Sequence, residues 1–185
     1  MVLALYDGAD EAGPRSTVIH ALAEMPLNHL GVVRYHDITR GLPALDSLAD
    51  VRGVLTWFGD ESMPDPRTYL QWVDAISRRG TPVAVIGSIG AFRDDHAELT
   101  PLDDINRTMG RVGWRYDGGW HTTTYGARYL LRDARTLLRV AIDGRPATSS
   151  DLVIVSPRGG YIAPGYAYFD DCTETIRTMK GLPVY

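Results

Sequence analysis

Arg79-Gly-Thr-Pro-Val-Ala-Val-Ile-Gly-Ser-Ile-Gly-Ala-Phe92 sets a near-continuous apolar run, Pro82 to Ile86, directly ahead of the turn signal Gly87-Ser88-Ile89-Gly90. Such a run reads as a strand buried on both sides, as in a parallel sheet covered by helices on both faces. Upstream of it the same alternation recurs. Val2 to Tyr6 is a short apolar run closed by Asp7-Gly8, and Ser16 to Leu30 carries Val18, Ile19, Leu22, Met25 and Leu30 at near-helical spacing. Gly31 ends that helix and Val32 to His36 follows as a second strand, whereas Leu42 to Leu48 is short and ambiguous. Val51 to Phe58 is the third apolar run. Asp65 to Arg79 is helical through Tyr69, Leu70, Val73 and Ile76, with Pro66 in its first turn and Gly80 closing it. Four strands alternating with helices predict an α/β fold, a flavodoxin-like, doubly wound, mostly parallel sheet with helices on both faces.

Beyond Phe92 the pattern changes to a β-rich C-terminal part. Pro101 to Val112 reads as a helix, and Gly119 to Tyr125, Leu137 to Ile142, Leu152 to Val155 and Tyr161 to Tyr168 as strands. The gaps are too short for parallel crossovers, so antiparallel pairs are expected, with turns at Asp143-Gly144 and Gly159-Gly160. Asp170 to Lys180 reads as a last helix capped by Asp170 or Asp171. Gly181 to Tyr185 looks like a strand beginning, from which a longer parent protein is expected.

The 185 residues are 44% hydrophobic, enough for one domain with a proper core. A net charge of -4 and a pI near 5.7, with no cluster of Arg or Lys, disfavour nucleic acid as a partner. The single cysteine, Cys172, excludes an internal disulfide and a Cys-rich zinc site. Met1 to Tyr6 is too short for a signal peptide and lacks a basic leader, and no window approaches the length of a membrane span. No cofactor motif is present, and none is expected.

In an open α/β sheet, ligands bind beyond the carboxyl ends of the parallel strands. The residues to weigh are therefore Asp7, His36 and Asp37, Trp57 and Phe58, and Ser88. Asp7 and Asp37 read first as turn or capping carboxylates, while Trp57 and Phe58 read as rim packing or, exposed together, as a stacking platform for a sugar. Ser88 sits where a nucleophile elbow places a hydroxyl, although the first glycine of G-x-S-x-G is Ile86 here. Its base would have to come from His20, His29, His36, His96 or His121, of which His121, at the start of a predicted strand and facing either toward the site or away from it, is the candidate. Asp94, Asp95, His96, Glu98, Asp103 and Asp104 lack regular ligand spacing, so no metal is expected. Pro26 should bend or end the first helix; Glu24 then reads first as a surface residue and second as a ligand candidate exposed to the cleft, and Tyr161 is a further ligand candidate beside Gly159 and Gly160.

Leu48-Ala-Asp-Val-Arg-Gly-Val-Leu-Thr-Trp57, Tyr69-Leu-Gln-Trp-Val-Asp-Ala-Ile76 and Gly80-Thr-Pro-Val-Ala-Val-Ile-Gly87 resemble the centre of a class I glutamine amidotransferase-like domain. That resemblance implies a Cys elbow, G-x-C-x-G, and a late His-x-Glu pair. Here Ser88 or Ile89 stands in the place of the cysteine, and the one His-x-Glu, His96-Ala97-Glu98, follows the elbow too closely. A non-glutaminase branch is therefore expected. The segments Glu24 to Gly31, Tyr35-His-Asp37 and Gly159 to Tyr166 are similar to the amidotransferase-like region of Pel-type bacterial exopolysaccharide proteins. This similarity implies a multidomain, periplasmic or membrane-associated parent and a carbohydrate-related role.

Three readings follow. The chain is a non-catalytic domain binding a saccharide or neighbouring domains, with Asp7, Glu24, Trp57, Phe58, Ser88 and Tyr161 near the ligand. Alternatively it is a serine-dependent hydrolase with Ser88 as nucleophile, His121 as base and backbone N–H groups near Gly59 or Ile89 as oxyanion donors. In the third reading it is purely structural.

Overall fold

The computed structural model describes residues 1–58, 63–95, 98–101, 105–121, 124–131, 134–142, 145–162, 178–179 and 182–183. The amino-terminal half runs β1 (Val2–Tyr6), α1 (Val18–Leu22), α2 (Glu24–Asn28), β2 (Val33–Asp37), β3 (Gly53–Phe58), α3 (Pro66–Arg78) and β4 (Val83–Gly87). The remainder is β5 (Phe92–Asp95), β6 (Glu98–Pro101), α4 (Ile105–Val112), β7 (Trp114–His121), β8 (Thr124–Leu131), β9 (Arg135–Ile142), β10 (Arg145–Ser156), β11 (Gly159–Ile162), β12 (Thr178–Met179) and β13 (Leu182–Pro183).

The main sheet runs β2-β1-β3-β4-β11-β10-β8-β7, with β9 on β10. The pairs β1–β2, β1–β3, β3–β4 and β4–β11 are parallel. The parallel strands thus follow the order 2-1-3-4-5, the flavodoxin-like order, whose topological switch point lies between β1 and β3. Beyond β11 the pairing is antiparallel through β10, β8, β9 and β7, as expected of the β-rich part.

Alternation along the strands supplies both helix-covered faces. Leu3, Leu5, Val54, Phe58, Val83 and Val85 pack with Tyr69, Leu70, Val73 and Ile76 of α3. Ala4, Leu55 and Ile86 pack with Ile19 and Ala23 of the α1–α2 side. Asp65 caps α3 by accepting the Thr68 amide at 3.1 Å, with Pro66 in the first turn.

The structure changes several sequence expectations. The helix from Ser16 to Leu30 is two short helices, because Pro26 has no N–H for the Leu22 carbonyl and its ring crowds that turn. Gly159-Gly160, read as a turn, begins the fifth parallel strand, and Pro157-Arg158 makes the reversal. A Cβ on Gly159 would lie 1.8 Å from the Val83 carbonyl oxygen, so the glycine permits this close strand approach. Gly119 to Tyr125 spans the end of β7 and the start of β8 rather than one strand, and β5–β6 is an unforeseen antiparallel pair. Thr178 and Met179 are strand, not the end of a helix, and Leu182–Pro183 pairs with them. The expected turn at Asp143-Gly144 and most of the helix from Asp170 to Lys180, with Cys172, lie outside the described residues.

Candidate functional site

At the carboxyl end of β1 the chain turns sharply. The Asp7 carbonyl accepts the amides of Asp10 at 3.2 Å and Glu11 at 3.0 Å, while Asp7 Oδ1 accepts the Ala9 amide at 2.9 Å. This turn folds an acidic segment back over the strand end. It is tied to the neighbouring strand by Asp37, whose Oδ1 accepts the Gly8 amide at 3.0 Å, the Thr39 amide at 3.0 Å and the Thr39 hydroxyl at 2.7 Å. Burial pushes the Asp37 carboxyl up, but the bonds from Thr39 and Gly8 and the charge of Arg40 outweigh it and hold it below the usual carboxylate range. A Cβ on Gly8 would meet Asp37 Oδ2 at 2.4 Å, so no larger residue fits this tie. Asp37 is thus the capping carboxylate of the first reading.

Beside this turn, at the switch point, lies a cavity of about 260 Å³ lined by Asp7, Asp10, Glu11, Val18, Trp57 and Phe58. It brings together three of the residues picked out from the sequence, Asp7, Trp57 and Phe58. Asp10 and Glu11 were missed, although an acidic run directly after a strand end was there to be read. Asp7 is 9% exposed. Glu11 Oε1 accepts the Val18 amide at 3.0 Å. Burial raises the Glu11 carboxyl above its usual range; the Val18 bond opposes this, and the negative charges of Asp10 and Asp7 add to the rise.

Trp57 and Phe58 do not form one exposed platform, because consecutive strand residues point to opposite faces. Phe58 is buried and meets Tyr69 edge-on at 5.7 Å, so it is a wall. Trp57, half-buried, lies on the α1–α2 side and lines the cavity.

The other candidates lie elsewhere. Ser88 is fully buried, and its Oγ accepts the Gly90 amide at 3.0 Å within a turn set by positive φ at Gly87 (77°) and Gly90 (68°). It does not line the cavity, and among the described residues no imidazole bonds it. His121 ends β7, and β11, β10 and β8 lie between that strand and β4. That is about 19 Å along the sheet at ~4.8 Å per strand, so the topology does not make His121 a neighbour of Ser88. His36 Nε2 meets the Gly41 carbonyl at 2.6 Å; His96 and Gly59 lie outside the described residues.

Glu24, a candidate for the cleft, turns instead to the edge strand, where it accepts the Tyr35 hydroxyl at 2.7 Å and pairs with His20 Nδ1. The bond from Tyr35, then that from His20, lowers the Glu24 carboxyl, while burial and the same bond push the Tyr35 hydroxyl up. Tyr161 is 1% exposed in the α3-side core, because its position on β11 alternates inward with Ile154 of β10. Among the described residues no group of three or more His, Cys, Asp or Glu is placed to hold a metal ion. A larger cavity of about 570 Å³, lined among others by Asp46, Arg52, Arg79 and Thr81, lies at the amino ends of β3 and β4, away from the switch point.

The chain is therefore a doubly wound α/β domain of flavodoxin-like order with a cavity of about 260 Å³ at its switch point. No family model matches it. No curated protein matches it either. It is similar to the solved structure of a glutamine amidotransferase from Thermotoga maritima, with 14% identity, a TM-score of 0.47, and 87% of this chain and 73% of that chain covered. It is also similar to alpha-L-fucosidase isoenzyme 2 from Paenibacillus thiaminolyticus, with 13% identity, a TM-score of 0.48, and 87% of this chain but 28% of that chain covered. At such values function is read from this chain's own residues.

Proposed function

We propose that this chain is a non-glutaminase, ligand-binding domain of the class I glutamine amidotransferase-like superfamily, and that it takes a saccharide at the switch point. The observation that carries this reading is the convergence of Asp7, Trp57 and Phe58 on one cavity of about 260 Å³. Carboxylates accept hydrogen bonds from sugar hydroxyls, and an indole face buries the apolar C–H face of a sugar ring. A phosphate ligand is disfavoured by three carboxylates in one small cavity. The absence of a thiol at the elbow and the burial of Ser88 support binding over acyl transfer.

The wider role, a saccharide-binding or scaffolding domain beside neighbouring domains in a periplasmic protein of bacterial exopolysaccharide biosynthesis or modification, is part of the same proposal and rests on the Pel-type resemblance. The test is a fluorescence titration of the chain with a panel of neutral oligosaccharides, repeated on Trp57→Phe. Saturable change in the native chain that disappears in Trp57→Phe is expected. An unresponsive native chain across the panel would refute the reading.

A further inference from the structure

The cavity of about 570 Å³ at the amino ends of β3 and β4 has the size of small-molecule pockets, ~300–1,000 Å³. Its walls divide by chemistry. Leu45, Leu48, Val51 and Ile76 give it an apolar side, while its charged and hydroxyl side chains are Asp46, Arg52, Arg79 and Thr81. The β3–β4 register sets Val54 opposite Val83, and the Val54 amide donates to the Pro82 carbonyl at 2.9 Å. Arg52 and Thr81 therefore enter at neighbouring strand starts, with Arg79 two residues before Thr81 at the end of α3.

The groups left open there are donors. Among the described residues neither the Arg52 guanidinium nor the Thr81 hydroxyl has a partner. Arg79 uses Nη2 on Asp46 Oδ1 at 2.9 Å, and that carboxylate is 94% exposed, so the pair is weak and readily exchanged. The nearby acceptors are already taken. The Ile76 carbonyl accepts the amides of Arg79 at 3.1 Å and Thr81 at 3.3 Å, the Ser77 carbonyl that of Gly80 at 3.0 Å, and the Leu48 carbonyl that of Val51 at 3.0 Å. In a chain of net charge -4, this cavity thus sets two guanidinium groups against one exposed carboxylate. A guanidinium fork matches a planar carboxylate. A bare inorganic anion would leave the apolar side in water, whereas an apolar group beside the carboxylate would cover it.

We infer that this cavity is a second binding site, for a small organic acid that joins one carboxylate to an apolar body. Arg52 and Arg79 take the carboxylate, with Thr81 as a further donor, and Leu45, Leu48, Val51 and Ile76 cover the body. The inference is independent of the saccharide reading, which concerns the opposite end of the sheet.

The experiment is calorimetric titration of the chain with octanoate, with octanol and with acetate, at low and at high salt. Octanoate is expected to bind about tenfold more tightly than octanol, the worth of one charge-assisted hydrogen bond, with the advantage shrinking as salt rises. Acetate, which lacks the apolar body, is expected to bind more weakly than octanoate. Arg52 and Arg79 are exposed, so Arg52→Gln and Arg79→Gln should fold as the native chain does, which thermal melts check. Each is expected to weaken octanoate about tenfold and leave octanol unchanged. Amide chemical shifts on adding octanoate are expected to gather at Arg52, Gly80 and Thr81. No binding of octanoate, equal binding of octanol, or an octanoate affinity unmoved in both variants overturns the inference and leaves the saccharide reading standing.

Discussion

Gly8→Ala tests the tie on which the shape of the cavity depends. Gly8 does not have a positive φ, so alanine meets no backbone penalty and the whole effect comes from space. The new Cβ would lie 2.4 Å from Asp37 Oδ2, 2.5 Å from Oδ1 and 2.6 Å from Cγ. Asp37 cannot swing aside freely, because Thr39 holds it through two bonds and Arg40 Nε lies 3.5 Å from Oδ2. Relief therefore costs the Gly8 amide bond, a charge-assisted one of about 1.5–3 kcal/mol, with overpacking of at least ~1 kcal/mol. We expect Gly8→Ala to destabilise by about 3 kcal/mol, which in a chain of this size lowers Tm by about 6–12 °C. Urea unfolding followed by circular dichroism measures it. Asp37→Ala removes the obstacle, so the double variant should be no less stable than Asp37→Ala alone, a coupling of about 3 kcal/mol. A Gly8→Ala cost under about 0.5 kcal/mol, or additive costs in the double variant, would refute the reasoning.

Tyr161→Ala should cost about 3–5 kcal/mol in unfolding experiments, as a large core deletion, while leaving saccharide affinity at the switch point unchanged in protein that remains folded. Ser88→Ala leaves the Gly90 amide without its partner in a fully buried turn and should cost about 1–3 kcal/mol. A serine-directed fluorophosphonate should not label Ser88 in the folded chain, and mass spectrometry showing the adduct there would restore the hydrolase reading. The Asp37 carboxyl is held below its ordinary value of 3.8, so its stabilisation is complete above that value and is lost as pH falls through the lower folded value. Thermal melts across the acid range should show the loss in the native chain and a shallower one in Asp37→Asn, the remainder including Glu24, which is also lowered.

The central parallel strands β1, β3 and β4 were legible because each is largely buried and reads as an apolar run, as with Val83 to Gly87. The fifth parallel strand was not, because Gly159-Gly160 is a turn signal to any local reading, and only the backbone of Val83, far off in sequence, makes it a strand. Trp114 to Leu131 defeated the reading for a related reason. Its glycines and charged residues interrupt alternation, and the β7–β8 pairing carries register shifts between Tyr116 and Trp120 and between Trp120 and His121. At the site, Asp7, Trp57 and Phe58 followed from strand ends alone. What chain position could not give was burial: Tyr161 and Ser88 are hidden, and Glu24 turns to Tyr35, through contacts with elements remote in sequence. Asp10 and Glu11 reach the cavity through the turn made by the Asp7 carbonyl, for which the acidic run after the strand end was the sequence signal.

The central claim is that the switch-point cavity is where this chain binds. Amide and indole N–H chemical shifts, recorded as an oligosaccharide is added to the isotope-labelled chain, test it most directly. The account predicts shifts gathered at Asp7 to Glu11, Val18 and the Trp57 indole, saturating together. Shifts gathered instead at Arg52, Arg79 and Thr81 around the cavity at the strand amino ends, or none at all, would contradict it.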